Sequence, residues 1–105
     1  MADTSNPPTM VFAVVITYQP NLEALGALLE RLTGQVDTVL IIDNGSDNAQ
    51  AVAQRVKQHT FARFTGASEN RGLGWAHNEG LRTALAHSAD AVLLLDQDSL
   101  PRPGM

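Results

Sequence analysis

Apolar and polar positions alternate in blocks along the chain, and this pattern predicts four strands separated by three helices. Short apolar runs rich in β-branched residues or leucine predict buried parallel strands at residues 10–16, 38–42, 61–65 and 91–95. Between the runs, apolar residues recur every three or four positions, as they do on the buried side of a helix. Alternating strands and helices specify a parallel sheet with right-handed crossovers, so we expect an α/β fold.

The ends of these elements carry local signals. Asn21 is expected to cap the first helix, and Gly34 suits the left-handed position that follows it. The second helix is weaker and covers residues 49–56, while the third extends from residue 74 or 75 to about 87. Five residues of the third helix are expected to face the core: Trp75, Asn78, Leu81, Ala84 and Leu85.

These elements predict a Rossmann-like three-layer sandwich whose mostly parallel sheet has the strand order 3-2-1-4. In such sheets ligands bind beyond the carboxyl ends of the strands, where the strand order reverses. With this order the reversal lies between the first and fourth strands. We therefore expect the loops at residues 17–20 and 96–99 to flank a site, with the loop after the second strand beside them.

Two carboxylates, Asp96 and Asp98, follow the last apolar run. Acidic residues after a strand can also cap a helix or form a turn, so the Asp-x-Asp spacing alone is a weak signal. Its position at the expected strand end favours a metal site. Because oxygen ligands dominate and no His or Cys is close in sequence, Mg²⁺ or Mn²⁺ fits better than Zn²⁺.

Two other loops contain candidate ligand contacts. Asp43 begins an Asp-Asn-Gly-Ser segment, which any tight turn might contain, but its carboxylate could also accept the imide N–H of a pyrimidine. Arg71 lies between Asn70 and Gly72, just ahead of the third helix. The N-terminus of a helix favours an anion. Arg71 is therefore either a solvated surface arginine or a contact to base or phosphate.

Composition narrows the class of protein. With 105 residues the chain forms one domain, with residues 1–10 as a flexible polar leader and residues 11–105 as the folded part. The net charge is −4 and the seven basic residues are scattered, which argues against nucleic-acid binding. The absence of cysteine excludes disulfides and thiolate metal sites. The sequence shows neither a membrane-length apolar run nor a signal peptide, so we expect a cytoplasmic protein. As part of a longer protein, it could also dock peripherally at the inner membrane face.

Four segments in order carry a resemblance to a known family: VITY (15–18), IDNGS (42–46), NRGLGWAHNEG (70–80) and LDQDSLP (95–101). The chain resembles the N-terminal, nucleotide-binding half of a family 2 glycosyltransferase with the GT-A fold. The Asp-Gln-Asp-Ser form after three leucines is similar to the rhamnosyltransferase branch. The resemblance covers residues 11–101.

The resemblance implies roles for individual residues. Thr17 and Tyr18 would lie against the base or ribose, and Asp43 would bond the base imide. The loop of Asn70, Arg71 and Gly72 would approach base and phosphates, while Asp96 and Asp98 would bind ribose and metal. The donor would be a dTDP- or UDP-sugar, with dTDP-rhamnose favoured. The reaction would be inverting transfer to a hydroxyl of a glycan or lipid-linked glycan in surface polysaccharide synthesis.

In the family the general base lies well beyond the Asp-x-Asp segment, and no residue here matches it. We therefore expect a truncated GT-A domain that contributes donor and metal binding but no useful turnover alone. The fourth strand would leave an open sheet edge, which could pair with another copy to form a homodimer.

Three alternatives compete with this interpretation. A nucleotidyltransferase would need a Gly-rich, basic loop after the first strand, which residues 17–20 do not supply. A receiver-type signalling module would need acidic residues after the first strand and a Lys near the site, and neither is present. A non-catalytic remnant that binds a nucleotide or a partner is the third alternative.

Overall fold

The computed structural model describes residues 9–97, which form seven elements in alternating order. The strands are β1 (Val11–Thr17), β2 (Thr38–Asp43), β3 (Ala62–Gly66) and β4 (Ala91–Asp96). The helices are α1 (Leu22–Leu32), α2 (Ala49–Lys57) and α3 (Leu73–Ala86). Each strand lies within one residue of its predicted position. Most of the predicted leader, and Asp98, lie outside the described residues.

The four strands form one sheet in the order β3-β2-β1-β4, and every neighbouring pair is parallel. The predicted fold class and strand order are therefore confirmed. The register pairs Thr17 with Asp43 across β1 and β2, and Ile16 with Asp96 across β1 and β4. The strand order thus reverses between β1 and β4, where the sequence placed the candidate site.

Helices cover both faces of the sheet, which gives the three layers. Successive residues of a strand point to opposite sides of the sheet, so each strand contributes to both faces. One face packs against α1 and α2. The other face packs against α3. The α1 and α2 side buries Ala13, Val15, Val39 and Ile41 with four leucines of α1, and the α3 side buries Phe12, Val14, Leu40 and Ile42.

The predicted ends of α1 are confirmed. The Asn21 side chain accepts a hydrogen bond from the Ala24 backbone N–H at 3.0 Å, so it caps the helix as expected. Gly34 follows the helix with φ +80°, a conformation that costs glycine little and other residues more. The local sequence therefore sets both limits of this helix.

The inward face of α3 differs from the prediction. Its buried residues are Ala76, Gly80 and Ala84, a stripe of small side chains at four-residue spacing. A Cβ on Gly80 would lie 2.3 Å from Val14 Cγ1, so the helix approaches β1 closely. The predicted inward positions of Asn78 and Leu85 are wrong, since both are exposed, Leu85 by 69%. Close packing selects the small residues and turns the larger leucine to the surface.

Both outer strands of the sheet are only partly covered. Leu94 in β4 is 49% exposed, and β3 has no fully buried residue. The predicted pairing of two copies through the β4 edge stays a prediction. None of the helices in the described part of the chain is long and apolar enough to span a membrane.

Candidate functional site at the carboxyl edge

All four strands end at the same edge of the sheet, because they are parallel. We call residues 17–20, 43–48, 67–72 and 96–97 at this edge the carboxyl edge. The three segments that follow β1, β2 and β3 lead into the N-termini of the three helices, whose macrodipoles place partial positive charge there. Every described residue of the predicted site lies in this region.

Thr17 and Asp43 are brought together as buried partners. The Thr17 hydroxyl donates a hydrogen bond to Asp43 Oδ1 at 2.7 Å, and both residues have no exposed surface. Ser46 adds two donors to the same carboxylate, its hydroxyl to Oδ1 at 2.6 Å and its backbone N–H to Oδ2 at 2.8 Å. A buried carboxylate needs such partners, and here three donors within the chain supply them.

This arrangement gives Thr17 and Asp43 a structural role that the sequence did not predict. Neither side chain is accessible, so a direct contact with a nucleotide base would require the surrounding loops to rearrange. The turn-forming alternative for the Asp-Asn-Gly-Ser segment is supported by the bond from the Ser46 backbone N–H to the Asp43 side chain. A base contact by either residue stays a prediction.

The loop after β2 is also fastened to its neighbours on both sides. The Asn44 backbone N–H donates to the Thr17 carbonyl at 2.8 Å, and Asn44 Oδ1 accepts from the Arg71 backbone N–H at 2.8 Å. Between these contacts, Gly45 has φ +86° and presses against the next loop, where a Cβ would lie 2.5 Å from the Glu69 carbonyl carbon. Only glycine meets both demands.

Gln19 connects the loop after β1 to the loop after β2. Its backbone N–H donates to Ser46 Oγ at 2.8 Å, and its side chain exchanges two hydrogen bonds with Asp47, at 2.9 and 2.7 Å. These bonds hold Gln19 at φ +49°, which is uncommon for a residue other than glycine. Sequence reasoning missed Gln19, Ser46 and Asp47 as members of this network, because such residues are ordinary in any polar loop.

Gln97 makes a second cross-connection, between β4 and the loop after β1. Gln97 Oε1 accepts from the Tyr18 backbone N–H at 2.7 Å, and Gln97 Nε2 donates to the Tyr18 carbonyl at 3.1 Å. The Tyr18 side chain itself is 46% exposed. Gln97 was not among the predicted site residues, although it lies between the two predicted metal ligands.

The loop ahead of α3 is open to solvent. Asn70 Oδ1 accepts the Gly72 backbone N–H at 2.8 Å, and Gly72 has φ +89°. Asn70, Arg71 and Gly72 are all exposed. The Arg71 guanidinium carbon lies 5.8 Å from the centroid of the Trp75 ring, within the range of a cation–π contact. The three predicted residues therefore share one accessible loop that a ligand could reach.

Asp96 ends β4 with an exposed side chain, next to β1. Within residues 9–97, no group of three or more His, Cys, Asp or Glu side chains is placed to hold a metal. Asp98, the second predicted ligand, lies outside the described residues. Of the two predicted ligands, Asp96 is the one within the described residues, and its carboxylate is accessible. That fits the usual Mg²⁺ arrangement of one or two carboxylates completed by substrate phosphates.

The charges of the carboxyl edge are mostly negative. Its four carboxylates are Asp43, Asp47, Glu69 and Asp96, and its one basic side chain is Arg71. The side chains of the carboxyl edge therefore carry more negative than positive charge.

Sequence comparison defines the class of protein to which this fold and this edge belong. The family described as "Glycosyl transferase family 2" matches residues 12–105, so the chain belongs to that family. Among curated proteins the chain is similar to the "dTDP-rhamnosyl transferase RfbF" of Shigella flexneri, with 32% identity over 91 residues. The match covers 85% of this chain and 29% of that relative. The resemblance to family 2 glycosyltransferases and their rhamnosyltransferase branch is thereby confirmed.

Proposed function

We propose that this chain provides the donor-binding part of a glycosyltransferase, which transfers a sugar from a nucleoside diphosphate to an acceptor hydroxyl. The observation that carries the proposal is the position of Asp96 and of the 70–72 loop. Both are accessible at the carboxyl edge of a family 2 sheet whose strand order reverses between β1 and β4. Family membership supports the class of reaction.

The proposed donor is a dTDP- or UDP-sugar, with dTDP-rhamnose as the first to test, because a similar protein is named as a dTDP-rhamnosyl transferase. We further propose inverting transfer to a glycan or lipid-linked glycan in surface polysaccharide synthesis. This chain corresponds to less than a third of that relative, so acceptor recognition and the general base are assigned to no residue here.

The proposed metal is Mg²⁺ or Mn²⁺, held by Asp96 and Asp98. Support comes from the side-chain charges of the carboxyl edge, where one guanidinium, that of Arg71, stands against four carboxylates. A bound divalent ion supplies neutralisation of the departing diphosphate. The chain's own residues orient the donor before that step.

Each accessible residue has a proposed task in donor binding. Arg71 contacts base or phosphate, and the backbone around Asn70 and Gly72 approaches the same groups. The Tyr18 side chain lies against the base or ribose. Thr17 and Asp43 are buried and hold the loops after β1 and β2 together. A contact of their own with the base requires these loops to rearrange. Each of these tasks can be tested by following the residue concerned during nucleotide binding.

The proposal is tested by following backbone amide shifts of the whole 105-residue chain during titration with dTDP, UDP or GDP, with and without Mg²⁺. We expect metal-dependent binding of the pyrimidine nucleotides that shifts the amides of Tyr18, Asp43, Arg71 and Asp96. Asp96→Asn should weaken that binding at least tenfold. Glu30→Gln is a matched control, because it removes one exposed carboxylate near the end of α1, at the opposite edge of the sheet.

Two results would contradict the proposal. One is the absence of any nucleotide binding at accessible metal concentrations. The other is binding that Asp96→Asn and Glu30→Gln weaken equally. Binding that needs no metal would instead favour the alternative of a nucleotide-binding module without transfer chemistry.

A further inference from the structure

We infer that Gln97 is a positioning residue, whose side-chain amide pairs with the Tyr18 backbone and so holds Asp96 and the loop after β1 in the arrangement that binds the donor. The inference rests on the proposed function, and it deepens it. It assigns a task to the middle residue of the Asp-Gln-Asp segment, which sequence reasoning left without one.

The pairing extends the sheet beyond its last regular step. The β1–β4 register ends at Ile16 and Asp96. Gln97 follows Asp96 directly and Tyr18 lies two residues beyond Ile16, and here the Gln97 side chain takes the place of a strand backbone: Oε1 accepts from the Tyr18 N–H at 2.7 Å and Nε2 donates to the Tyr18 carbonyl at 3.1 Å. A primary amide carries an N–H donor and a C=O acceptor, as a peptide group does, so it can continue the pairing beyond the last backbone pair.

The location gives this pairing its consequence. It joins the carboxyl ends of β1 and β4, where the strand order reverses and where ligands bind in sheets of this kind. Gln97 directly follows Asp96, so fixing its side chain restricts the backbone that presents the Asp96 carboxylate. Gln97 binds both polar backbone groups of Tyr18 and so fixes the backbone there. The Tyr18 side chain is exposed and can contact a sugar-nucleotide donor.

The pairing has little to contribute to the stability of the fold. Both hydrogen bonds are exposed, so each largely replaces a bond to water. The two strands are already joined by six paired residues on each side. The expected effect of removing the amide is therefore a loss of local order and of donor affinity, without a matching loss of fold stability.

The test compares Gln97→Met with Gln97→Glu in the whole chain. Methionine keeps the length of the side chain and removes both hydrogen bonds. Glutamate keeps an acceptor for the Tyr18 N–H and loses the donor to the Tyr18 carbonyl. Gln54→Met and Gln54→Glu are matched controls, because Gln54 is exposed in the middle of α2.

Three quantities are measured for each variant: hydrogen exchange of the Tyr18 amide without metal, affinity for dTDP and UDP with Mn²⁺, and the thermal midpoint. For Gln97→Met we expect Tyr18 exchange to accelerate about tenfold and nucleotide affinity to fall about three- to tenfold, the scale of losing one to two modest hydrogen bonds. The thermal midpoint should stay with that of the Gln54 controls. Gln97→Glu should retain part of the Tyr18 protection.

Unchanged Tyr18 exchange in Gln97→Met would overturn the pairing itself. Accelerated exchange with unchanged nucleotide affinity would overturn the positioning role, and so would a loss of affinity that merely follows a lower thermal midpoint. A wild-type chain that binds no nucleotide refutes the proposed function and the positioning role with it. In that event the Tyr18 exchange still decides whether the pairing exists.

Discussion

Replacing Gly45 by alanine should destabilise the protein more than any other single added methyl at a positive-φ glycine of the described chain. Gly45 has φ +86°, a conformation that costs a residue with a Cβ about 1–2 kcal/mol. The new Cβ would also lie 2.5 Å from the Glu69 carbonyl carbon and 2.6 Å from the Asn70 nitrogen. Both are backbone atoms, so a whole loop must shift, at a further cost of about 1–3 kcal/mol.

Gly34→Ala separates the two contributions. Gly34 has a similar φ of +80°, but a Cβ there meets nothing within 4 Å. It should lose only the conformational part, about 1–2 kcal/mol, whereas Gly45→Ala should lose about 2–5 kcal/mol in all. Since small domains are stable by about 5–15 kcal/mol, the larger loss is readily measured.

The assay is urea unfolding of both variants, combined with amide spectra of the folded proteins. Displacement of the loop should also break the bond from the Arg71 backbone N–H to Asn44 Oδ1, so the Arg71 amide should shift in Gly45→Ala and not in Gly34→Ala. Free energies of unfolding that agree within about 0.5 kcal/mol between the two variants would refute the reasoning, because strain at positive φ alone would then explain both.

The remaining predictions concern α3 and the core. Gly80→Ala should cost about 1–3 kcal/mol because its Cβ would lie 2.3 Å from Val14 Cγ1, while Gly74→Ala, with nothing within 4 Å, should stabilise the helix by about 0.5–1 kcal/mol. Thermal unfolding of the pair checks this, and equal midpoints would contradict it. Leu28→Ala should cost about 2–5 kcal/mol because Leu28 is fully buried, and Leu85→Ala should cost less than about 0.5 kcal/mol because Leu85 is 69% exposed. A large loss for Leu85→Ala in denaturant unfolding would show that this face is covered in solution.

The sequence predictions are accurate where the interactions are local and fail where they depend on distant parts of the chain. Asn21 and Gly34 act within one helical turn, and both behave as expected. The strands were placed because buried parallel strands are continuously apolar. On α3, Ala84 is buried as predicted, but the inward positions of Asn78 and Leu85 are wrong, because the close approach of the helix to Val14 admits small side chains and excludes larger ones.

The candidate site divides in the same way. Its place at the carboxyl edge followed from the alternation of elements and from the predicted strand order, which the structure confirms. The contacts that hold the edge together join residues far apart in the chain. Gln97 pairs with Tyr18, 79 positions away, and Arg71 with Asn44, 27 positions away. No local pattern distinguishes these polar residues from others in a loop.

By itself, the order of apolar runs determined that this chain forms alternating strands and helices whose polar loops gather at one end. Residue type and spacing are enough for that, since burial of apolar surface acts on each segment separately. Only the folded arrangement decided that Thr17 and Asp43 would be enclosed while Asp96 and Arg71 stay accessible. Accessibility and hydrogen-bond partners depend on which loops become neighbours, and that is settled only when the β1–β2 and β1–β4 pairings are made.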